Sequence, residues 1–289
     1  MSITGTNVAR LPAELPPFRT GARSSPRDNR VLASLPPAEF MRVSELLEPV
    51  RLRCGETLSE QATRVKQIHF PTTAILSMQH VLEDGATSEI AAIGREGVCG
   101  ASALMDDSTT LSQVLVLSDG EAYVGSINRI ATEFGRGGAF SRAMLKYVQL
   151  LFLQVTQTSM CNYRHSVEQR LCRWLLSTLD RLATDDLAIT HERLGNLLGV
   201  RRESITAAAG RLQLLGAIRY SRGRLTVINR SKIDPLACGC YKVVKQLLDR
   251  LPLPDRERVI PKLSSAVPLG VSRYGADRTL GSAGVAVAN

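Results

Sequence analysis

Residues 187–230 read LAITHERLGNLLGVRRESITAAAGRLQLLGAIRYSRGRLTVINR and decide the fold of the C-terminal half. Thr190 is suited to begin a short helix as its cap, and Gly199 is suited to end it. The apolar residues of the next helix recur on one stripe: Ile205, Ala208, Ala209, Leu212 and Leu215. Two short helices joined by a tight turn predict a helix-turn-helix motif.

The opposite face of the second helix is polar or small, with Arg202, Glu203, Thr206, Gly210 and Arg211. Small residues let another backbone or a phosphate strand approach closely. After Gly216, the sequence AIRYSRGRLTVI alternates around a Ser-Arg-Gly-Arg turn, which predicts a β-hairpin wing.

Residues 191–224 contain seven arginines, no lysine and two acidic residues. Such a set could simply be a solvated face, but the planar guanidinium also suits phosphate oxygens and the O6/N7 edge of guanine. We therefore predict that the helix reads bases through Arg201, Arg202 and Arg211, and that the wing contacts phosphates through Arg222 and Arg224.

The chain has 289 residues and a formal net charge of +9. Most of the excess lies between His165 and Pro261, where 17 Lys/Arg face 10 Asp/Glu, so a polyanionic partner is expected there. No apolar run approaches a membrane span and no signal peptide is evident, which favours a cytoplasmic protein without a membrane partner.

The N-terminal half contains two regions with different patterns of apolar residues. Residues 29–47 have helical spacing interrupted by Pro36 and Pro37, which suit the start of a second helix. Residues 48–127 contain short apolar runs separated by Gly and Asp turns, which is typical of antiparallel strands in a barrel or sandwich. We expect a β-roll preceded by short helices.

Residues 139–166 lack Gly and Pro and carry a seam at alternating spacings of four and three residues. The pattern is compatible with a core helix under a lid, but it favours a dimerisation helix, with Leu145, Phe152 and Leu153 facing the roll. The expected dimer interface consists of Met144, Val148, Leu151, Val155, Thr158 and Asn162.

Two other classes of protein are disfavoured. None of the four histidines forms a metal-ligand pair or lies beside a plausible nucleophile, and no phosphate-binding glycine loop is present, so an enzyme is not expected. An adaptor acting through protein partners would not need the arginines of the second helix. The six cysteines are expected to be reduced, and Cys238 and Cys240, one residue apart, are interpreted as structural thiols because zinc knuckles use another spacing.

The run LGVRRESI resembles the recognition-helix signature of the Crp/Fnr family of bacterial transcription regulators, and the resemblance covers about residues 29–241. It implies a guanine contact for Arg202, a cytosine contact for Glu203 and a phosphate contact for Ser204. It also implies a cyclic-nucleotide-binding-like β-roll, binding to double-stranded DNA as a homodimer, and RNA polymerase as a further partner if the protein activates transcription.

The chain departs from the family pattern at two places. Ala207 stands where some members carry a third basic reading residue, so the operator need not match theirs. Ala101 and Leu111 stand where cyclic-nucleotide binders have the Glu and Arg that hold the ligand, so cyclic AMP is not expected and the effector stays open. Iron–sulfur members need clustered N-terminal cysteines, and none precedes Cys54. Haem bound through His69 or His80 stays an alternative to ordinary strand histidines.

The prediction is an α+β protein with an N-terminal double-stranded β-helix, a long helix and a C-terminal winged helix-turn-helix. The expected divisions are a disordered tail at 1–28, the sensor roll at 29–138, the dimerisation helix at 139–166, the DNA-binding domain at 167–241, a C-terminal helix at 242–263 and a disordered tail at 264–289. The predicted DNA-contacting residues are Arg201, Arg202, Glu203, Ser204, Thr206, Arg211, Arg222 and Arg224.

Overall fold

The computed structural model describes residues 24–105, 109–182 and 184–251. A 3-10 helix at Pro26–Asp28 is closed by a capping box between Ser25 and Asp28. Ser24 donates a 2.7 Å hydrogen bond from its hydroxyl to the carboxylate of Glu121. Residues 24–28 therefore belong to the folded body, and the predicted tail of 1–28 was too long at this end, while residues 1–23 lie outside the described residues.

Helices α1 (Arg30–Ala33) and α2 (Pro37–Ser44) open the domain, as the spacing of residues 29–47 predicts. Pro37 occupies the first turn of α2, where its missing N–H costs nothing. Asn29 is fully buried and caps α1 by accepting from the N–H groups of Val31 and Leu32. Its amide also donates to the carbonyls of Pro71 and Gly97, at 2.9 and 2.8 Å, so one side chain joins three segments.

Antiparallel strands form the predicted β-roll, which we call the roll. One sheet has the order β1-β7-β3 and the other the order β2-β6-β4-β5. Leu76 and Val116 lie in one buried apolar cluster of the roll, and Phe70 lies in another, which also includes residues of α1 and α2. The strands are β1 (Glu48–Leu52), β2 (Thr57–Ser59), β3 (Gln67–Pro71), β4 (Ile75–Val81), β5 (Thr87–Ile93), β6 (Gln113–Ser118) and β7 (Gly120–Ser126).

Helix α3 (Ile127–Gly135) leads into the long helix α4 (Gly138–Arg164), whose 27 residues span about 40 Å. The carboxylate of Glu39 accepts from the N–H groups of Ala139 and Phe140 and so caps the start of α4. Phe140, Met144 and Tyr147 are buried in the core of the roll. The long helix is therefore fixed to the roll along its first half.

The face of α4 that packs on its own chain differs from the expected one. Met144 and Thr158, which were expected in a dimer seam, are 1% and 5% exposed within the single chain. Leu145 and Phe152, which were expected against the roll, are 49% and 69% exposed. The assignment of the two faces was wrong at these positions because both stripes of the helix carry apolar residues, and packing against the roll decided between them.

Helix α5 (Val167–Leu179) begins with a capping box between Ser166 and Gln169. It is followed by β8 (Asp186–Ala188), α6 (His191–Leu198), α7 (Arg202–Leu214), β9 (Ile218–Ser221) and β10 (Arg224–Val227). The three strands form an antiparallel sheet of order β8-β10-β9. We call residues 167–227 the winged-helix region; its core gathers Trp174, Leu194, Ile205, Leu212 and Leu225.

The winged-helix region packs on the roll through buried polar contacts. Trp174 donates from its indole to the carboxylate of Glu89 at 3.0 Å, and burial raises the pKa of Glu89. Arg181 and Glu96 form a 2.6 Å ion pair in which both side chains are less than a tenth exposed. Ile75 of the roll joins the apolar core of the winged-helix region, so the two parts share a continuous interior.

Short helices α8 (Arg230–Ile233) and α9 (Cys240–Asp249) follow the wing. The C-terminal helix predicted at 242–263 thus begins two residues earlier and ends at Asp249, while residues 252–263 and the predicted tail at 264–289 lie outside the described residues. None of the described helices is long and apolar enough to cross a membrane.

Candidate nucleic-acid interface

The helix-turn-helix is held by local contacts that the sequence predicts. Thr190 caps α6 by accepting from the N–H of Arg193 at 3.1 Å. Gly199 ends α6 with a φ of 59°, a left-handed conformation that glycine adopts without strain. A Cβ built on Gly195 would lie 2.8 Å from the carbonyl oxygen of Val200, so the close approach of the turn to α6 requires glycine there.

Four of the five apolar residues predicted for the inner face of α7 are buried, while Leu215, the C-cap residue, is 49% exposed. Ile205, Ala208, Ala209 and Leu212 are fully covered by the rest of the winged-helix region. Arg170 of α5, also buried, donates to the carbonyl of Leu198 at the end of α6. These contacts fix the angle between α6 and α7, and they leave the outer face of α7 free of large packing partners.

The outer face of α7 presents the predicted reading residues. Arg201 is the N-cap residue, and its side chain makes no capping hydrogen bond. Arg202 and Glu203, in the first turn, are exposed, and Ser204 is half-buried at the edge of that face. A Cβ on Gly210 would meet nothing within 4 Å. The helix thus offers two cations and an anion above a surface that a second molecule could approach closely.

Two predicted site residues already have partners in the chain. Arg211 forms an ion pair with Glu168 of α5, at the edge of the outer face. The hydroxyl of Thr206 donates to the carbonyl of Arg202 at 3.1 Å. That hydroxyl also lies 3.0 Å from Nδ1 of His191, the first residue of α6. Thr206 therefore links the two helices of the motif as well as facing outward.

His191 is a residue of this site that the sequence did not single out. Its ring stacks on Tyr220 of β9, with centroids 4.1 Å apart. Partial burial, together with the nearby charge of Arg202, lowers the pKa of His191. The hydroxyl of Tyr220 donates to the carbonyl of Ile189 at 2.9 Å. His191 thus connects β9 of the wing to α7, through contacts between residues distant in sequence.

The wing is a tight two-residue turn between β9 and β10. Arg222 and Gly223 occupy it with φ values of 48° and 75°, and Ser221 pairs with Arg224 across it. Positive φ at both central positions is the arrangement of a type I′ hairpin, in which glycine or asparagine is usual and arginine is strained. The side chains of Arg222, in the turn, and Arg224, directly after it, are both exposed.

Not every arginine of the motif faces outward. Arg193 of α6 turns toward the roll and donates to the carbonyl of Val116 at 3.2 Å. Arg219 of β9 is exposed and adds a cation that the sequence interpretation left unassigned. The exposed arginines of the described motif are therefore Arg201, Arg202, Arg211, Arg219, Arg222 and Arg224.

A partly open cavity of about 730 Å³ lies between strands of the roll and α4. Ala101 lines it, together with His69, Met78 and Leu151. His69 is buried, and burial lowers its pKa to about 4, so the imidazole is neutral at physiological pH. Leu111 is 73% exposed and does not line the cavity, while His80 lies within hydrogen-bonding distance of the Leu111 carbonyl. The two histidines do not face a common space.

Residues 169–235 match the Crp-like helix-turn-helix domain family. A transcriptional regulator of the Crp/Fnr family from Eubacterium rectale is 18% identical, covers 70% of this chain and 94% of its own, and has a TM-score of 0.57. FixK2 from Bradyrhizobium japonicum is 16% identical, with coverages of 66% and 98% and a TM-score of 0.57.

A CRP/FNR-family transcriptional regulator from Thermus thermophilus is also 16% identical, with coverages of 66% and 98% and a TM-score of 0.54. Among curated proteins, none matches this chain. At these identities the structures establish the fold, and the domain match establishes the type of helix-turn-helix.

Proposed function

We propose that this chain, which carries a Crp-like helix-turn-helix domain and has the fold of the Crp/Fnr regulators, regulates transcription by binding specific DNA sequences. The main support for the proposal is the outer face of α7. There Arg202 and Glu203 are exposed, and Gly210 has open space around it. An α-helix fits the major groove, and arginine and glutamate can distinguish guanine and cytosine there. Ser204 and the wing arginines would contact phosphates and set the position of α7.

The protein would bind as a homodimer through α4. Leu145, Phe152, Met160 and Tyr163 are about half to four-fifths exposed and recur at intervals of seven, eight and three residues, which places them on one stripe of the helix. A second copy of the helix is the occupant that a heptad-like stripe fits. Of the residues first expected in the seam, Val148 and Leu151 pack against the core of the roll, while Val155 and Asn162 are half-buried.

Sedimentation of the full chain tests the dimer. Phe152→Glu places a charge in the centre of the stripe and should convert the dimer to monomer. Met41→Glu is the matched control, because Met41 of α2 is 63% exposed but lies outside the stripe. A monomeric wild-type chain, or equal effects of both substitutions, would remove α4 from the interface.

The cavity of the roll is the proposed place for an effector. Ala101 lines it without a carboxylate for a ribose, and the exposed Leu111 offers no cation for a cyclic phosphate. We therefore expect calorimetric titration with cyclic AMP and cyclic GMP to give no binding in the micromolar range. Micromolar affinity for either nucleotide would show that other residues of the cavity replace the missing pair.

Selection of genomic fragments by the purified chain tests the function itself. A dimer with two α7 helices should enrich a palindrome whose half-sites are about 34 Å apart, centre to centre. Recovery of fragments without a shared motif would contradict sequence-specific binding. A cytoplasmic location, and contact with RNA polymerase if the protein is an activator, are further parts of this proposal.

A further inference from the structure

Four potential metal ligands from two segments that are distant in sequence meet beside the end of α4. Cys161 lies in the last turn of α4, His165 ends that helix, and Cys238 and Cys240 flank Gly239 at the start of α9. Their ligand atoms all lie within 4.8 Å of one another. The three cysteines are almost fully buried and form an apolar cluster of their own.

The distances within the cluster suit one tetrahedral ion. Sγ of Cys161 is 3.4 Å from Sγ of Cys238, and Sγ of Cys240 is 3.6 Å from Nδ1 of His165. Zinc bonds of about 2.3 Å to sulfur and about 2.0 Å to nitrogen place tetrahedral ligand atoms roughly 3.5–3.8 Å apart. The space between four atoms this close holds a single ion and leaves no room for a cluster of several iron and sulfide atoms.

The surroundings support the ligands in two ways. Gln157, one turn before Cys161, donates from its amide to Sγ of Cys240 at 3.0 Å, a contact that orients the sulfur. Arg170 and Arg173 of α5 are close enough to interact electrostatically with Cys161. Three thiolates and one divalent cation leave one negative charge, and these guanidinium groups would balance it.

We propose that Cys161, His165, Cys238 and Cys240 bind one Zn²⁺ ion that joins the end of α4 to the start of α9. Three thiolates and one imidazole are a common donor set of structural zinc sites, in which all four positions are filled by protein. Cys161 is on the side of α4 opposite Tyr163 and the exposed stripe, so the ion and a dimer partner would not compete. The ion would fix the junction through which α4 connects to the winged-helix region.

Titration of the reduced, metal-free full chain with Co²⁺ and then Zn²⁺ tests the site. We expect one Co²⁺ per chain, with the absorption bands of tetrahedral thiolate coordination, and complete displacement by Zn²⁺. Cys161→Ser and Cys238→Ser should abolish these bands. Cys172→Ala should retain them, because Cys172 is equally buried in the adjacent α5 but is not one of the four ligands. Gln157→Ala should weaken the ion's affinity by about 10-fold.

Thiol alkylation of the wild-type chain, mapped by mass spectrometry, tests the same site without any variant. Zinc should protect Cys161, Cys238 and Cys240, while the half-buried Cys54 keeps its reactivity. Folded wild-type protein that takes up no metal under reducing conditions would overturn the proposal. Octahedral coordination would also overturn it. The same holds for metal uptake that survives the loss of both Cys161 and Cys238, and for zinc protection of Cys54 equal to that of the three proposed ligands.

Discussion

Charged side chains occur both on the outer face of α7 and at the contact between the winged-helix region and the roll. They are exposed on α7 and buried at the contact. At the contact, Arg181 and Glu96 are buried and paired. On α7, Arg202 and Glu203 are exposed, and nothing lies within 4 Å of a Cβ on Gly210. The comparison separates charges that hold the protein together from charges that are available to a partner.

The largest loss of stability is expected where a buried charge loses its ion-pair partner. Arg181→Ala leaves Glu96 buried without its counter-ion and should destabilise the protein by about 3–5 kcal/mol. Binding to specific and random DNA should decline together, in proportion to the unfolded fraction. Denaturant unfolding measures the change, and Arg202→Ala on the outer face is the control. A difference in unfolding free energy of less than about 1 kcal/mol would show that the pair is solvated, as surface pairs are.

A smaller loss of stability is expected where the turn between α6 and α7 approaches α6. Gly195→Ala places a methyl group against the backbone carbonyl of Val200, only 2.8 Å away. Because a backbone carbonyl cannot move like the end of a side chain, the substitution should cost about 1–3 kcal/mol of stability. Thermal unfolding gives the value. An unchanged melting temperature would mean that the two helices can separate without cost.

A glycine-to-alanine substitution on the outer face of α7 should instead raise the stability of the protein. Gly210→Ala meets open space within the chain and replaces the least favourable ordinary residue of a helix interior, so stability should rise by up to about 1 kcal/mol. Affinity for DNA should nevertheless fall, because the methyl group occupies the space through which a nucleic acid approaches α7. Melting curves and binding isotherms of one preparation measure both. Unaltered DNA binding would place the groove away from Gly210.

The local parts of the candidate site were predictable from the sequence because local rules determine them. Thr190 caps α6, Gly199 ends it, and Gly223 lies in the tight turn of the wing. The apolar stripe of α7 is buried where the helical period places it, except at Leu215, which lies just past the end of the helix. The β-roll likewise followed from short strands and regular turns, although the order of its strands did not.

Contacts between distant residues were not predictable from these patterns. Two apolar stripes run along α4, and each is displaced from the other by about one residue around the helix. Only the packing on the roll shows that Met144 faces inward and Phe152 outward. A count of arginines likewise cannot separate Arg193, which donates to the roll, from Arg202. Cys238 and Cys240 were interpreted as structural thiols because their spacing is not that of a zinc knuckle, and their proximity to Cys161, 77 residues from Cys238 along the chain, leaves no local pattern in the sequence.

Under the proposed function, α7 specifies bases while the wing positions the duplex. Arg202→Ala should weaken binding to the selected operator by about 1–3 kcal/mol and leave binding to random DNA nearly unchanged. Arg224→Ala should weaken both and lower the slope of log affinity against log salt concentration by about one unit.

The decisive measurement is the ratio of operator to random-DNA affinity for wild type, Arg202→Ala and Arg224→Ala at several salt concentrations, with a melting curve for each protein. We expect only Arg202→Ala to lower the ratio, at an unchanged melting temperature. An unchanged ratio in a stably folded Arg202→Ala protein would show that Arg202 does not specify a base.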